Sequence, residues 1–137
     1  MTEKVSNARW FGVALQSLIV LANYEGLCPS GKLAEKLDSK SVFLRKILTH
    51  LVKAGLIQAK EGKNGGYSLV KHPSEITLAE VYESMSAETF PKGFLDVESK
   101  ECFLPDTIHA LCELRTEMEG WILEGLQQKT LADLMKK

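Results

Sequence analysis

Apolar side chains at Trp10, Phe11, Ala14, Leu15, Leu18, Leu21 and Ala22 recur at helical spacing. With Ser6 or Asn7 as a cap, they predict a helix over 6–24. Val13, Ile19 and Val20 lie off that stripe, so more than one side of the helix is buried. Gly26 and Pro29 end it. Ser30 then caps a short helix, about 31–37, whose inner stripe is Leu33, Ala34 and Leu37. Asp38-Ser39-Lys40 reads as a turn. Ser41 caps a third helix, about 42–54, apolar at Phe43, Leu44, Ile47, Leu48 and Leu51. Gly55 suits its C-terminus, because glycine takes the left-handed conformation at low cost.

The period then changes. Leu56–Lys60 is short and extended, 61–66 is rich in turn residues, and Tyr67–Val70 alternates. Two strands joined by a glycine-rich loop make a hairpin, closed by Pro73. Thr77-Leu78-Ala79-Glu80 has the spacing of a capping box and opens a helix over about 78–86. Residues 87–105 contain Pro91, Gly93 and Pro105 and show no period, so they read as a long irregular loop. A long helix follows over 106–127, and Thr130-Leu131-Ala132-Asp133 starts a last short one.

Helix, helix–turn–helix, then a two-stranded hairpin is the element order of a winged helix-turn-helix. The expected fold is mainly α with a small β-hairpin: a winged helix-turn-helix domain over 1–86, the loop 87–105, and a dimerisation helix with a short C-terminal helix over 106–137. Trp10–Ala22 spans 13 residues, short of the ~20 a membrane helix needs, and no small-x-small cleavage site follows it. It therefore reads as a core helix rather than a leader or membrane span, although Lys4 and Arg9 precede it.

Composition changes this picture in one respect. The chain has 137 residues and a net charge of −1, with hydrophobic and charged fractions of 45% and 26% that exclude disorder. Residues 1–73, however, carry 11 basic and 5 acidic groups, a net of +6, whereas 74–137 carry 6 and 13, a net of −7. Such asymmetry points to a polyanion-binding half. Three cysteines, an odd number, argue against a disulfide scaffold and for a reducing cytoplasm.

The third helix has a width suited to the major groove. Its N-terminal residues Ser39, Lys40, Ser41, Val42, Arg45 and Lys46 are candidates for double-stranded DNA, Arg45 as a reader of guanine. In the hairpin loop, Lys60, Lys63 and Asn64 are placed to track a neighbouring groove, with Gly62, Gly65 and Gly66 letting the turn pass close to DNA. That glycine run is no nucleotide-binding loop, since no Gly-Lys-Ser/Thr follows. In the long helix, Ile108, Leu111, Met118, Ile122 and Leu126 form one stripe and Leu114 and Trp121 another. A second apolar face calls for a second copy of the chain, and a homodimer sets two recognition helices about one DNA turn apart. The other covering for that face is the 78–86 helix with the loop. No nucleophile–base pair or metal-ligand spacing occurs, so no enzyme is expected.

Several segments resemble a known family: Ser41–Leu48, Leu51–Ile57, Gly62-x-x-Gly65-Gly66-Tyr67-x-Leu69, Ile76-Thr77-Leu78-x-Glu80-Val81 and the closing Thr130–Leu134. Together they are similar to the Rrf-two type (IscR-, NsrR- and CymR-like) of bacterial winged-helix transcription regulators. The resemblance implies a homodimeric repressor or activator on a partly palindromic operator. It also implies an arginine before the wing glycines, where this chain has Glu61; wing contact then falls to Lys60, Lys63 and Asn64. Members that hold an iron–sulfur cluster supply three cysteines from the loop and the start of the dimer helix. This chain has Cys102, but Ile108 where a C-x5-C spacing needs the next cysteine, and Cys112 a turn further on. Clusters take four ligands, so no cofactor is expected, although His109 and Asp106 lie near. Three readings of Cys102 and Cys112 stay open: a thiol switch at Cys102, a cluster, or plain packing of Cys112 with Cys102 incidental. Cys28 reads as structural. A different class also remains: a winged-helix protein-interaction module without DNA binding, which Glu61 favours. Operator, regulated genes and effector are not written in these residues.

Overall fold

Leu44, Ile47, Leu48 and Leu51 are all buried, and their i, i+3, i+4, i+7 spacing makes one face of a single helix. Each such side chain removed from water contributes about 1.5–3 kcal/mol. That face is the centre of the core in the computed structural model, which describes residues 7–85, 95 and 101–135. The elements are α1 (Asn7–Asn23), α2 (Ser30–Leu37), α3 (Ser41–Lys53), β1 (Ile57–Lys60), β2 (Gly66–Leu69), a 3-10 turn (Pro73–Glu75), α4 (Leu78–Ser84), α5 (Pro105–Gln127) and α6 (Leu131–Leu134). Around α3 pack Ala14, Leu18 and Leu21 of α1, Leu33 of α2, Leu56 and Ile57 entering the hairpin, Ile76, Val81, Met85 and Leu131. The winged-helix order predicted from the pattern is present, with a two-stranded antiparallel sheet as its wing. Ser6 and most of the 87–105 stretch lie outside the described residues.

Two local expectations shift by one residue. Pro29 and Lys40 occupy the N-cap positions of α2 and α3, placing Ser30 and Ser41 inside their helices, and neither cap residue makes a side-chain hydrogen bond. Gly55 follows the last turn of α3 with φ +79°, as a left-handed stop. The turn between α2 and α3 is made by Asp38, at φ 50°, a conformation aspartate tolerates better than most residues.

The hairpin pairs Ile57 with Leu69, Gln58 with Ser68, Ala59 with Tyr67 and Lys60 with Gly66. A backbone bridge fastens it to the segment before α2: the Cys28 amide donates to the Tyr67 carbonyl and the Tyr67 amide to the Cys28 carbonyl, both at 2.9 Å. This close approach needs Gly66, where a Cβ would stand 2.6 Å from the Cys28 carbonyl oxygen. Gly66 is buried, so it serves packing within the chain rather than approach to DNA.

The Thr77 box forms as predicted. The Glu80 amide donates to Thr77 Oγ1 (3.1 Å) and the Thr77 amide to Glu80 Oε1 (3.0 Å). The second carboxylate oxygen of Glu80 receives Lys71 Nζ at 3.0 Å, tying the exit of the hairpin to α4. Burial alone would raise the Glu80 carboxyl; the Thr77 amide and Lys71 outweigh it and hold it below the usual range.

After α5 the chain folds back on the first domain. The Leu78 amide donates to the Lys129 carbonyl (2.9 Å), the Leu131 amide to the Ile76 carbonyl (2.8 Å), and Leu131 is fully buried. The Thr130 amide donates to Asp133 Oδ2 (2.8 Å), fixing the start of α6. This short helix packs with α1 and the 3-10 turn. A buried leucine carries it there, since exposed Leu131 would forgo the transfer energy.

Gly66→Ala should lower stability to urea by about 1–3 kcal/mol, because the added methyl meets backbone that cannot yield. A change within about 0.5 kcal/mol would show that the wing is not held against Cys28.

Candidate nucleic-acid interface

Burying one face of α3 forces the opposite face outward. Val42, Arg45, Lys46 and Thr49 follow the same i, i+3, i+4, i+7 rule and are all exposed. Lys40 and Ser41 at the start of the helix are exposed too. With no side-chain cap on α3, its first-turn amides remain for solvent or an anion. Thr49 donates its hydroxyl to the Arg45 carbonyl (2.9 Å), which leaves its methyl outward.

On the wing, Lys60, Lys63 and Asn64 are exposed, as is Glu61. A cleft of about 410 Å³ separates the wing loop from the start of α2, lined by Ser30 and Gly31 on one side and Lys60 and Lys63 on the other. Among the described residues, none of Lys40, Arg45, Lys46, Lys60 and Lys63 has an acidic partner, whereas Lys32 and Lys71 pair with Glu35 and Glu80. Cations without carboxylates on one face are available to a polyanion.

Ser39 departs from the set. It is half-buried, its amide donates to the Ala34 carbonyl (3.0 Å), and its hydroxyl lies out of solvent with no partner. The end of α2 encloses its hydroxyl, which is therefore not presented outward. Arg9, by contrast, is a cation the sequence pattern did not assign to this face. Its guanidinium stacks 4.3 Å from the centre of the Phe43 ring, beside the first turn of α3. In the sequence Arg9 reads only as a charge preceding an apolar run; the contact crosses two helices, and no short-range spacing announces it.

Two of the three histidines are packed or capping groups, and the third, His109, is exposed beside Glu113 (3.5 Å). His50 lies 5.2 Å from the Trp10 ring, and His72 Nδ1 accepts from the Ser74 amide (3.1 Å). Cys28 is buried beneath the wing bridge. Burial pushes its thiol up, partly offset by Lys36 and Lys32, which makes it a poor nucleophile. Cys102 and Cys112 are both exposed; Cys112 therefore does not pack in the core of its own chain, as one of the sequence readings had it.

Along α5, about 34 Å long at 1.5 Å per residue, no residue is fully buried. Ile108, Leu111, Leu114, Met118, Ile122 and Leu126 are half-buried, and Trp121 is 59% exposed. The helix packs on α4, close enough for Glu119 to act on Tyr82. Burial first, and then that carboxylate, push the Tyr82 hydroxyl up. So α4 covers part of the apolar surface of α5 and leaves Trp121 uncovered. Among the described residues, no helix is long and apolar enough to cross a membrane.

Comparison with known proteins places these features. The Rrf2 family model, described as "Iron-dependent Transcriptional regulator", matches residues 9–137. Protein aau3 of Rhizobium meliloti (strain 1021) is 35% identical over 120 residues, spanning 84% of this chain and 74% of its own. The HTH-type transcriptional regulator NsrR of Shouchella clausii is 29% identical over 125 residues, 82% of this chain and 78% of its own. The crystal structure of Staphylococcus aureus CymR shares the fold, with a TM-score of 0.68 at 24% identity over 94% of this chain and 97% of that one. The iron in the family description meets a poor donor set here. Cys28 is enclosed, leaving two exposed thiols, and among the described residues no three His, Cys, Asp or Glu side chains stand together as metal ligands. These residues do not fit a four-ligand cluster.

On duplex DNA, Lys46→Ala should weaken binding across sequences and lower the slope of log affinity against log salt by about 1. Arg45→Ala should instead cost about 1–3 kcal/mol of discrimination at one base pair. Fluorescence anisotropy at several salt concentrations separates the two, and unchanged binding by both variants would remove α3 from the interface.

Proposed function

The chain belongs to the Rrf2 family of transcriptional regulators, and from that premise we propose that it is a cytoplasmic, DNA-binding repressor working as a homodimer on a partly palindromic operator. It is a regulator and not an enzyme. The observation that carries the DNA reading is the outward face of α3. Arg45 and Lys46 stand there without carboxylate partners, with Lys40 at the helix start and Lys60 and Lys63 on the wing alongside. The acidic half of the chain then faces away from phosphate and limits nonspecific binding.

The dimer rests on α5. An exposed indole at Trp121, set among half-buried Leu114, Met118 and Ile122, is apolar surface that a second copy of the helix would cover. A two-fold axis there presents two α3 helices to successive turns of the major groove. No cluster is assigned to the regulator, because its thiols do not supply one. A redox signal at Cys102 keeps one supporting observation, an exposed free thiol. Glu61, exposed on the wing, supports the second class, an interaction module that binds protein instead of DNA.

Selection from a random duplex library with the purified full chain tests the proposal. A symmetric consensus, bound with affinity that falls steeply with salt, is expected; failure to select any duplex favours the interaction module. Sedimentation should give twice the 15.2 kDa chain mass, and Trp121→Glu should give a folded monomer with at least about tenfold weaker operator binding. A monomeric wild-type chain would overturn the dimer.

A further inference from the structure

Val42 has no packing role that explains it. It is 69% exposed, the most exposed large apolar side chain of α3, at a helix start whose other exposed residues are Lys40, Ser41, Arg45 and Lys46. The remaining apolar residues of the helix are buried or half-buried, apart from Val52 at its far end, 37% exposed. Val42 is also fixed in direction. The buried face of Leu44, Ile47, Leu48 and Leu51 sets the rotation of α3, and Val42 shares the outward face with Arg45 and Lys46, three and four residues on.

We infer that Val42 is a specificity-determining residue that reads the 5-methyl group of thymine in the major groove. This rests on the DNA-binding reading above. The thymine methyl is the one apolar group a base pair shows in that groove, and small apolar side chains are its partners. A β-branched side chain is stiff at χ1, so its two methyls are held in place before contact. The lysines beside it bind phosphate at any sequence; Val42 adds a contact that a cytosine at the same place cannot make. Its position relative to Arg45 sets the spacing. Three residues rise about 4.5 Å along the helix, against about 3.4 Å per base step. The thymine therefore lies within about two base pairs of the base that Arg45 contacts.

The test uses the duplex selected by the full-length wild-type chain. Each thymine of one half-site is replaced in turn by deoxyuridine, which removes the methyl and nothing else, and binding is followed by anisotropy. One deoxyuridine, within two base pairs of the position relaxed by Arg45→Ala, should weaken the wild type about fourfold. Val42→Ser, which replaces the solvent-facing apolar side chain by a polar one at similar helix propensity, should bind thymine and deoxyuridine duplexes equally at that position. Circular dichroism confirms the variant's fold. The inference is overturned if no deoxyuridine weakens the wild type, or if Val42→Ser keeps the thymine preference. Failure to select any duplex overturns the DNA-binding reading itself, an outcome distinct from both.

Discussion

The outward face of α3 depends on the burial of four aliphatic side chains of the same helix. Leu44, Ile47, Leu48 and Leu51 lock the helix against α1, α2 and the approach to the hairpin. A helix has 3.6 residues per turn, so fixing one face fixes the other. Val42, Arg45, Lys46 and Thr49 are outward because those four are inward. The rotation of the recognition surface is thus set by apolar transfer energy, and its charges need no internal partner to hold them.

Two backbone bridges place the remaining elements around that helix. Cys28 and Tyr67 hold the wing beside the start of α2, and the pairing of 76–78 with 129–131 returns the chain from α5 to the core. Consequently the ends of α5 differ. Its start follows Leu104, 72% exposed, whereas its far end is followed at once by buried Leu131. A dimer built on α5 is therefore mechanically continuous with the winged domain through the residues that also begin α4. Lys71, Glu80 and Thr77 extend the same connection to the exit of the wing.

Much of this was legible in the residues. Periodicity located α1, α3 and α5, and the Thr77 box and Gly55 marked helix ends correctly, because these features are decided within a few residues. The contrast between a basic first half and an acidic second half is likewise visible in composition before any geometry. What stayed hidden is long-range. The burial of the Ser39 hydroxyl depends on how α2 ends, the Arg9–Phe43 stack joins two helices, and Gly66 is required by a strand bridge to Cys28. Likewise Leu131 looks like any short-helix leucine until Ile76 is seen beside it. Each is a tertiary constraint with no local spacing of its own.

Hydrogen–deuterium exchange of the full chain, with and without a bound duplex, reads directly whether the outward face of α3 and the wing meet duplex DNA. Slowed exchange is expected, concentrated in peptides covering Lys40–Lys46 and Lys60–Asn64. Bound duplex with both regions exchanging as in the free chain would contradict it.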